Sequence, residues 1–237
     1  MFVAIGDCMM AQEVRHIDMG LSVDWGDCNI GAVNPYEHGL YFAWGETVPY
    51  GDVDSTNINS YNYENTFYRG IYSYETYKWF LKQDSTAPAN VYYPVFSKYC
   101  IGENQITAQK NKSNDGLITL EGMDDAANVI FGDRWRMPTK AEMQELIDKC
   151  TWIWTDNEGV CGYRVVSKIN GNAIFLPLTG LRFVDKIEGE ALGYYWSSSL
   201  STSDLTAEAL MIDVTGYQIV GRGRFIGNAI RPVWDNK

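Results

Sequence analysis

Histidine is the residue type that this chain has least of, with only His16 and His38 among 237 residues. Both lie in the first sixth of the chain, and no Gly-x-Ser-x-Gly segment is present to expose a nucleophilic serine. Catalysis needs a nucleophile, a base and an electrostatic partner that converge, and histidine is the commonest base. Because these parts are scarce, we expect that the protein is not an enzyme.

Cysteine is also scarce, with five residues and no Cys-x-x-Cys pair. The two histidines are too far apart to complete the usual spacing of a structural zinc site. Five is an odd number, so an exported chain would keep at least one thiol unpaired. Buried cysteines behave as small hydrophobic residues, and we expect this of Cys28, Cys100 and Cys150.

Positive charge and long apolar runs are lacking as well. Lys and Arg total 19 against 30 Asp and Glu, which gives a formal net charge of −11. An acidic surface repels phosphate backbones, so we expect no nucleic-acid partner. The longest apolar stretches span only a few residues, so we expect no transmembrane segment. Aromatic residues make up 14% of the chain, a proportion typical of a folded protein rather than a disordered one.

The amino-terminal residues 1–15 differ in character from the rest of the chain. The apolar run Phe2–Ile5 has no basic residue before it and is followed by Asp7, which is unlike a complete secretory signal. The segment is interpreted as the remnant of an export signal or as a short ordered extension, and the sequence does not decide between the two.

Residues 16–237 are predicted to form a single domain with an uneven distribution of tyrosine. Twelve of the sixteen tyrosines lie between Tyr36 and Tyr99, in a stretch that is also rich in Asn, Ser and Asp. Polar turns interrupt this stretch and no periodicity is sustained. We therefore expect an expanded, Tyr-rich loop region at about 47–118.

Two helices are predicted in the middle of the chain. Two acidic residues, a short apolar segment and Gly132 predict a helix at about 123–131. Thr139 and Glu142 have the spacing of a capping box, which predicts the start of a second helix at about 140–150. Four residues at helical spacing give this helix an apolar stripe: Met143, Leu146, Ile147 and Cys150.

The last third of the chain is rich in strand signals. Asn170-Gly171 between two apolar segments is a strong hairpin signal. Further strands are predicted at Tyr194–Leu200, Ala209–Val214, Tyr217–Gly221 and Ala229–Trp234. Two helices in the middle of the chain, followed by an antiparallel sheet in its last third, predict an α+β fold.

Five motifs in this order resemble the major paralogous domain family first described in Fibrobacter succinogenes and abundant in Bacteroides-type bacteria. The motifs are Gly20–Trp25 with Cys28–Ala32, Tyr41–Glu46, Trp135–Thr139 with Glu142, Tyr195–Ser199, and Ala229–Val233. The resemblance covers about residues 17–234. It implies a C-type-lectin-like fold, which formylglycine-generating sulfatase modifiers and retroelement-diversified variable proteins share. In this fold two helices pack on a small twisted antiparallel sheet with long irregular loops.

No cofactor is expected. The formylglycine-generating relatives use a cysteine pair near the carboxyl end, whereas no cysteine follows Cys161 here, so that activity is not carried over. The calcium motifs of sugar-binding C-type lectins are absent. The loop Asp52–Asn57 is rich in oxygen ligands but lacks the central glycine of an EF-hand, so a structural calcium ion remains an alternative without a supporting motif.

The resemblance places the ligand-binding residues between the Trp-Ser-Ser strand and the final Arg-Pro-Val strand. We call this segment, residues 200–226, the loop face. Aromatic, arginine and hydroxyl side chains are typical of adaptable recognition surfaces. The candidate ligand-binding residues are Ser201, Thr202, Asp204, Tyr217, Gln218, Arg222, Arg224 and Phe225.

The sequence therefore favours a non-catalytic binding or adhesion module, secreted or on the cell surface. Its expected partner is a glycan or protein ligand on a host or neighbouring cell. One alternative is a retroelement-diversified variable protein that binds a receptor. Another is a glycan-active hydrolase that uses carboxylates of the Tyr-rich loop region. The oligomeric state and the identity of the ligand stay open.

Overall fold

The computed structural model describes residues 13–50, 77–83, 94–101, 114–132, 134–157, 159–183 and 186–236. Within these ranges the fold is mostly β, with fourteen short strands in five small antiparallel sheets. The prediction of an α+β, C-type-lectin-like fold with two helices packed on one small sheet is wrong, because the two helices have only six and ten residues. Residues 1–12 and most of the Tyr-rich loop region lie outside the described residues.

The elements follow one another along the chain as short units. The strands are β1 His16–Ile17, β2 Asp24–Gly26, β3 Phe80–Gln83, β4 Pro94–Phe96, β5 Trp135–Arg136, β6 Cys150–Asn157, β7 Val160–Ser167, β8 Ala173–Pro177, β9 Leu181–Phe183, β10 Lys186–Glu188, β11 Leu192–Leu200, β12 Thr206–Asp213, β13 Gly216–Gly223 and β14 Val233–Trp234. The helices are α1 Ala126–Phe131 and α2 Lys140–Lys149, and a 3₁₀ turn spans Gly122–Asp124.

A four-stranded sheet in the order β1-β2-β14-β5 brings the two ends of the described chain together. Val233 of β14 pairs with Trp25 on one side and with Arg136 on the other. The ring of His16 stacks on that of Trp234, with centroids 5.0 Å apart and an interplanar angle of 8°. We call this sheet the terminal sheet.

Strands β11 and β12 of the central sheet β11-β12-β13 are buried on both faces, whereas β13 is half-buried to exposed. One face contributes Trp196, Ala207 and Ala209 to a first aromatic-rich core. The other face contributes residues of opposite parity to a second core: Tyr195, Leu210 and Ile212. Because successive side chains of a strand point to opposite sides, β11 and β12 supply both cores at once.

The sheet β6-β7-β8 is covered on one face and partly exposed on the other. Tyr163, Val165 and Ile174 point into the second core. On the other face Ile153 is 45% exposed, and Arg164, its partner on β7, is also exposed. The hairpin predicted at Asn170-Gly171 joins β7 to β8, and the positive φ of Gly171 (78°) fits the turn.

Both predicted helices are confirmed, with slightly shorter bounds. Thr139 caps α2 by accepting a hydrogen bond from the Glu142 amide, and the Glu142 carboxylate accepts one from the Thr139 amide. The Asp125 carboxylate caps α1 by accepting from the amides of Ala127 and Asn128. Each cap satisfies backbone donors that the first turn of a helix leaves without partners.

No disulfide joins two of the described cysteines. Cys28, Cys100 and Cys150 are buried, as predicted, and Cys161 is half-buried. Burial raises the pKa of both Cys28 and Cys150 to about 11, so these thiols stay protonated near neutral pH.

Candidate functional site

The structure divides the eight predicted ligand-binding residues into buried and accessible groups. Asp204, Arg224 and Phe225 are buried. Thr202 and Gln218 are exposed, whereas Ser201, Tyr217 and Arg222 are half-buried. The two groups occupy different positions in the loop face and contribute to it differently.

Arg224 anchors the end of β13 in the first core. Its guanidinium donates to the Tyr77 hydroxyl (3.1 Å) and to three carbonyl oxygens. The carbonyl partners are Tyr99 (3.1 Å), Asp204 (3.0 Å) and Lys98 (2.9 Å). Aromatic rings surround the same group. The ring centroids of Phe96 and Trp44 lie 4.4 Å and 5.0 Å from the guanidinium carbon. Hydrogen bonds and cation–π contacts together offset the cost of burying the charge.

Asp204 and Phe225 complete this anchor. The Asp204 carboxylate accepts a hydrogen bond from the Ile101 amide at 2.7 Å, while its carbonyl accepts from Arg224. The ring of Phe225 packs edge-on against Phe183 at 5.7 Å, and its carbonyl accepts from the Tyr50 hydroxyl. Internal contacts therefore occupy these three residues, and their role in the loop face is to hold its ends.

Tyr217 belongs to an aromatic cluster between β13 and β6. Its ring stacks on Trp152 with centroids 4.2 Å apart and an interplanar angle of 22°. Tyr163 contacts the same ring edge-on at 5.6 Å. One face of Tyr217 is thus used in packing, and the residue remains half-buried.

Gln218 and Arg222 are two of the accessible side chains of β13. They lie four residues apart on one strand and therefore point to the same side of it. The guanidinium of Arg222 lies over the Tyr194 ring, 4.4 Å from its centroid. Its Nε atom is buried and has no hydrogen-bond partner among the described residues, while the aromatic ring holds the rest of the group in place.

A groove of about 640 Å³ lies beside the turn between β12 and β13. Its apolar lining comes from separate segments: Trp154, Leu178, Ile187 and Val214. His38 and Glu190 also line it, and Trp154 is held edge-on against Tyr163 at 5.2 Å. We call it the apolar groove. Of the loop face, only Val214 borders it.

A second groove, of about 390 Å³, lies on the outer face of β6-β7-β8. Arg15 and Arg164 line it together with Asp27, Tyr36, Thr155 and Phe175. We call it the arginine groove. Sequence reasoning missed both grooves because their residues come from distant segments. One signal was available, since the alternation along β7 places Arg164 on the side opposite to the apolar Tyr163 and Val165.

Several perturbed carboxyl groups have structural roles. Burial raises the pKa of Asp125 to about 6, although three backbone amides that donate to it oppose the rise. Burial also acts to raise the pKa of Asp124, but hydrogen bonds from Lys78 and Lys98 outweigh it and the pKa falls below its ordinary value. Helix capping and ion pairing account for both carboxyl groups.

Metal ligands do not cluster in the part of the chain that the structure describes. There, no group of three or more His, Cys, Asp or Glu side chains could hold a metal ion. The predicted oxygen-rich loop Asp52–Asn57 lies outside the described residues. His16 Nδ1 lies 2.8 Å from the Asp24 carboxylate, which leaves its other ring nitrogen without a described hydrogen-bond partner.

Comparisons with known proteins leave the family open. No family model matches the chain, and no curated protein or solved structure matches it. The resemblance to the Fibrobacter succinogenes domain family therefore stays a prediction from the sequence. None of the described helices is long and apolar enough to cross a membrane.

Proposed function

We propose that this chain is a non-catalytic binding module of the cell surface or extracellular space, which recognises a glycan or protein ligand through the loop face. The observation that carries the proposal is the anchoring of that segment. Buried Arg224 fixes the end of β13 through four hydrogen bonds, while Gln218 and Arg222 on the same strand remain accessible.

The division between a buried anchor and accessible side chains suits a recognition surface. A ligand gains most from side chains whose backbone is already ordered, because less conformational entropy is lost on binding. Thr202 and Gln218 offer hydrogen-bonding groups to a ligand, and Arg222 offers a positive charge held over an aromatic ring. The packed core lets these side chains vary without disturbing the anchor beneath them.

The test is a triple variant that removes the accessible side chains and leaves the anchor intact. Thr202→Ala, Gln218→Ala and Arg222→Ala are combined, and binding is measured on a glycan array and on a panel of host-matrix proteins. We expect at least one ligand that the wild type binds to lose at least tenfold in affinity for the triple variant, with little change in melting temperature.

The matched control combines Thr151→Ala, Gln144→Ala and Lys186→Ala, which removes the same kinds of side chain from exposed positions outside the loop face. Binding by the control should equal that of the wild type. If the loop-face variant binds as well as the control does, or if the wild type binds nothing on either panel, the proposal is wrong.

A further inference from the structure

The arginine groove is a concentration of positive charge on an acidic protein. The chain carries a net charge of −11, yet two guanidinium groups and a single carboxylate line this groove. Its floor is the outer face of β6-β7-β8, where Thr155 of β6, Arg164 of β7 and Phe175 of β8 all point outward. None of these residues belongs to the loop face.

Arg15 is held in a defined orientation at one side of the groove. Its Nε donates to the Asp27 carboxylate at 2.8 Å, and its backbone amide donates to the other oxygen of the same carboxylate at 3.0 Å. The pairing engages only one of the three guanidinium nitrogens in a hydrogen bond with a described residue. Because the side chain is 80% exposed, its two terminal nitrogens remain available to a ligand.

Arg164 is the second guanidinium of the groove. It pairs in register with Ile153 on one side and Phe175 on the other, both through the backbone, and its side chain is exposed. Its side chain has no hydrogen bond or ion pair with any described residue. An arginine in this state presents its whole planar group of donors, which matches the two oxygens of a carboxylate.

The remaining lining suits a sugar ring. Half-buried Tyr36 forms an aromatic wall and is supported edge-on by the buried ring of Phe175, with ring centroids 5.4 Å apart and an interplanar angle of 64°. Thr155 contributes a hydroxyl, whereas the Asp27 carboxylate is buried and accepts hydrogen bonds from Arg15. The volume of about 390 Å³ lies within the usual range for small-molecule clefts, which is about 300 to 1,000 Å³.

We propose that the arginine groove binds an acidic sugar, whose carboxylate is held between Arg15 and Arg164 while its ring packs against Tyr36. An extended peptide is a poorer occupant, because the floor of the groove is the outer face of a sheet and offers a ligand side chains rather than a row of backbone groups. A simple inorganic anion would leave the aromatic wall and the hydroxyl without partners.

The test measures binding of the whole chain by calorimetry to disaccharides that carry galacturonate, glucuronate or N-acetylneuraminate. The neutral counterparts of these sugars and a glutamate-containing tripeptide serve as comparison ligands. We expect at least one acidic disaccharide to bind, and we expect its neutral counterpart and the tripeptide to bind at least tenfold more weakly.

Two variants locate the site. Arg164→Gln should weaken binding of the acidic sugar by roughly tenfold, because it removes the paired donors and one charge. Lys186→Gln removes one exposed charge elsewhere and should leave binding unchanged. The loop-face triple variant should also bind the acidic sugar normally, which separates this proposal from the one above.

Three results would overturn the inference. The first is that no acidic disaccharide binds at millimolar concentration. The second is that the tripeptide binds as well as the sugar, which would show that the groove recognises only a carboxylate. The third is that Arg164→Gln and Lys186→Gln have the same effect on affinity, which would place the binding elsewhere.

Discussion

The end of β13 and the outer face of β7 each carry an arginine beside aromatic rings, yet the two arginines are in opposite states. Arg224 is completely buried and donates four hydrogen bonds inside the protein. Arg164 is exposed and donates none to a described residue. The comparison shows that saturation with internal acceptors, rather than charge or aromatic neighbours, distinguishes an arginine that holds the fold from one available to a ligand.

The largest effect on stability is expected for Arg224, whose guanidinium donates four hydrogen bonds inside the protein. Arg224→Met keeps most of the side-chain volume but leaves three carbonyl oxygens and the Tyr77 hydroxyl without their donor. Each buried polar group left without a partner costs about 1 to 3 kcal/mol. We expect the free energy of unfolding to fall by about 3 kcal/mol or more, as measured by urea denaturation.

The backbone of Tyr99 makes the fold more sensitive to the substitution of Arg224. It is the one described non-glycine residue with a positive φ (57°), and its carbonyl is among the acceptors of Arg224. Losing the arginine therefore removes a bond that holds a strained backbone. A loss below about 1 kcal/mol would show that Arg224 is not the anchor described above.

Glu142 gives an intermediate case, because the Arg136 guanidinium and one backbone amide saturate its carboxylate. Arg136 donates to both Glu142 oxygens, at 2.8 and 2.6 Å, and the Thr139 amide donates at 2.7 Å. Glu142→Gln keeps a residue that can cap the helix but removes the charge. We expect a loss of about 1 to 2 kcal/mol at pH 7, measured by urea denaturation.

This loss should depend on pH. Burial acts to raise the pKa of Glu142, but the hydrogen bond from Arg136 and the Thr139 amide outweigh it, so the pKa lies below its ordinary value. A lowered pKa stabilises the fold above the unfolded value, about 4.3, and this stabilisation is lost as the pH falls through the folded value. The difference between wild type and variant should shrink below about pH 4. A difference that stays constant down to pH 2 would contradict this assignment.

The smallest effect on stability is expected for Arg164, which donates no hydrogen bond to a described residue. Arg164→Gln removes no hydrogen bond within the described residues, so we expect the free energy of unfolding to change by less than about 0.5 kcal/mol. The melting temperature should then shift by at most about 2 °C, as measured by calorimetry. A larger loss would mean that Arg164 supports the fold, and the contrast with Arg224 would disappear.

Local patterns predicted those parts of the fold that depend on near neighbours. The capping box of Thr139 and Glu142 involves residues three apart, and the Asn170-Gly171 turn depends only on the backbone freedom of its own residues. Both signals act within a few positions, so sequence alone is sufficient for them.

The fold class was mispredicted because it depends on pairings between distant segments. Strand β6, Cys150–Asn157, follows α2 without a break and was not among the predicted strands. Strand β14 has only two residues, and its partners β2 and β5 lie far away in the sequence. No local pattern specifies such a sheet.

In the loop face, too, local sequence patterns do not predict which residues are buried. Arg222 and Arg224 are two residues apart and would share one face of a continuing strand. Strand β13 instead ends at Gly223, and the following turn directs Arg224 into the first core, whereas Arg222 stays accessible. Composition and spacing are the same for both, so only the position of the strand end distinguishes their roles.

The terminal sheet has a kinetic consequence. The contact between His16 and Trp234 joins positions separated by nearly the whole described chain, and such a contact has the largest loop-closure entropy of any in the fold. The hairpins β6-β7-β8 and β12-β13 close over a few residues and can form early. We therefore expect the terminal sheet to assemble last and its amide protons to be the first to exchange with solvent when the native state opens from its ends.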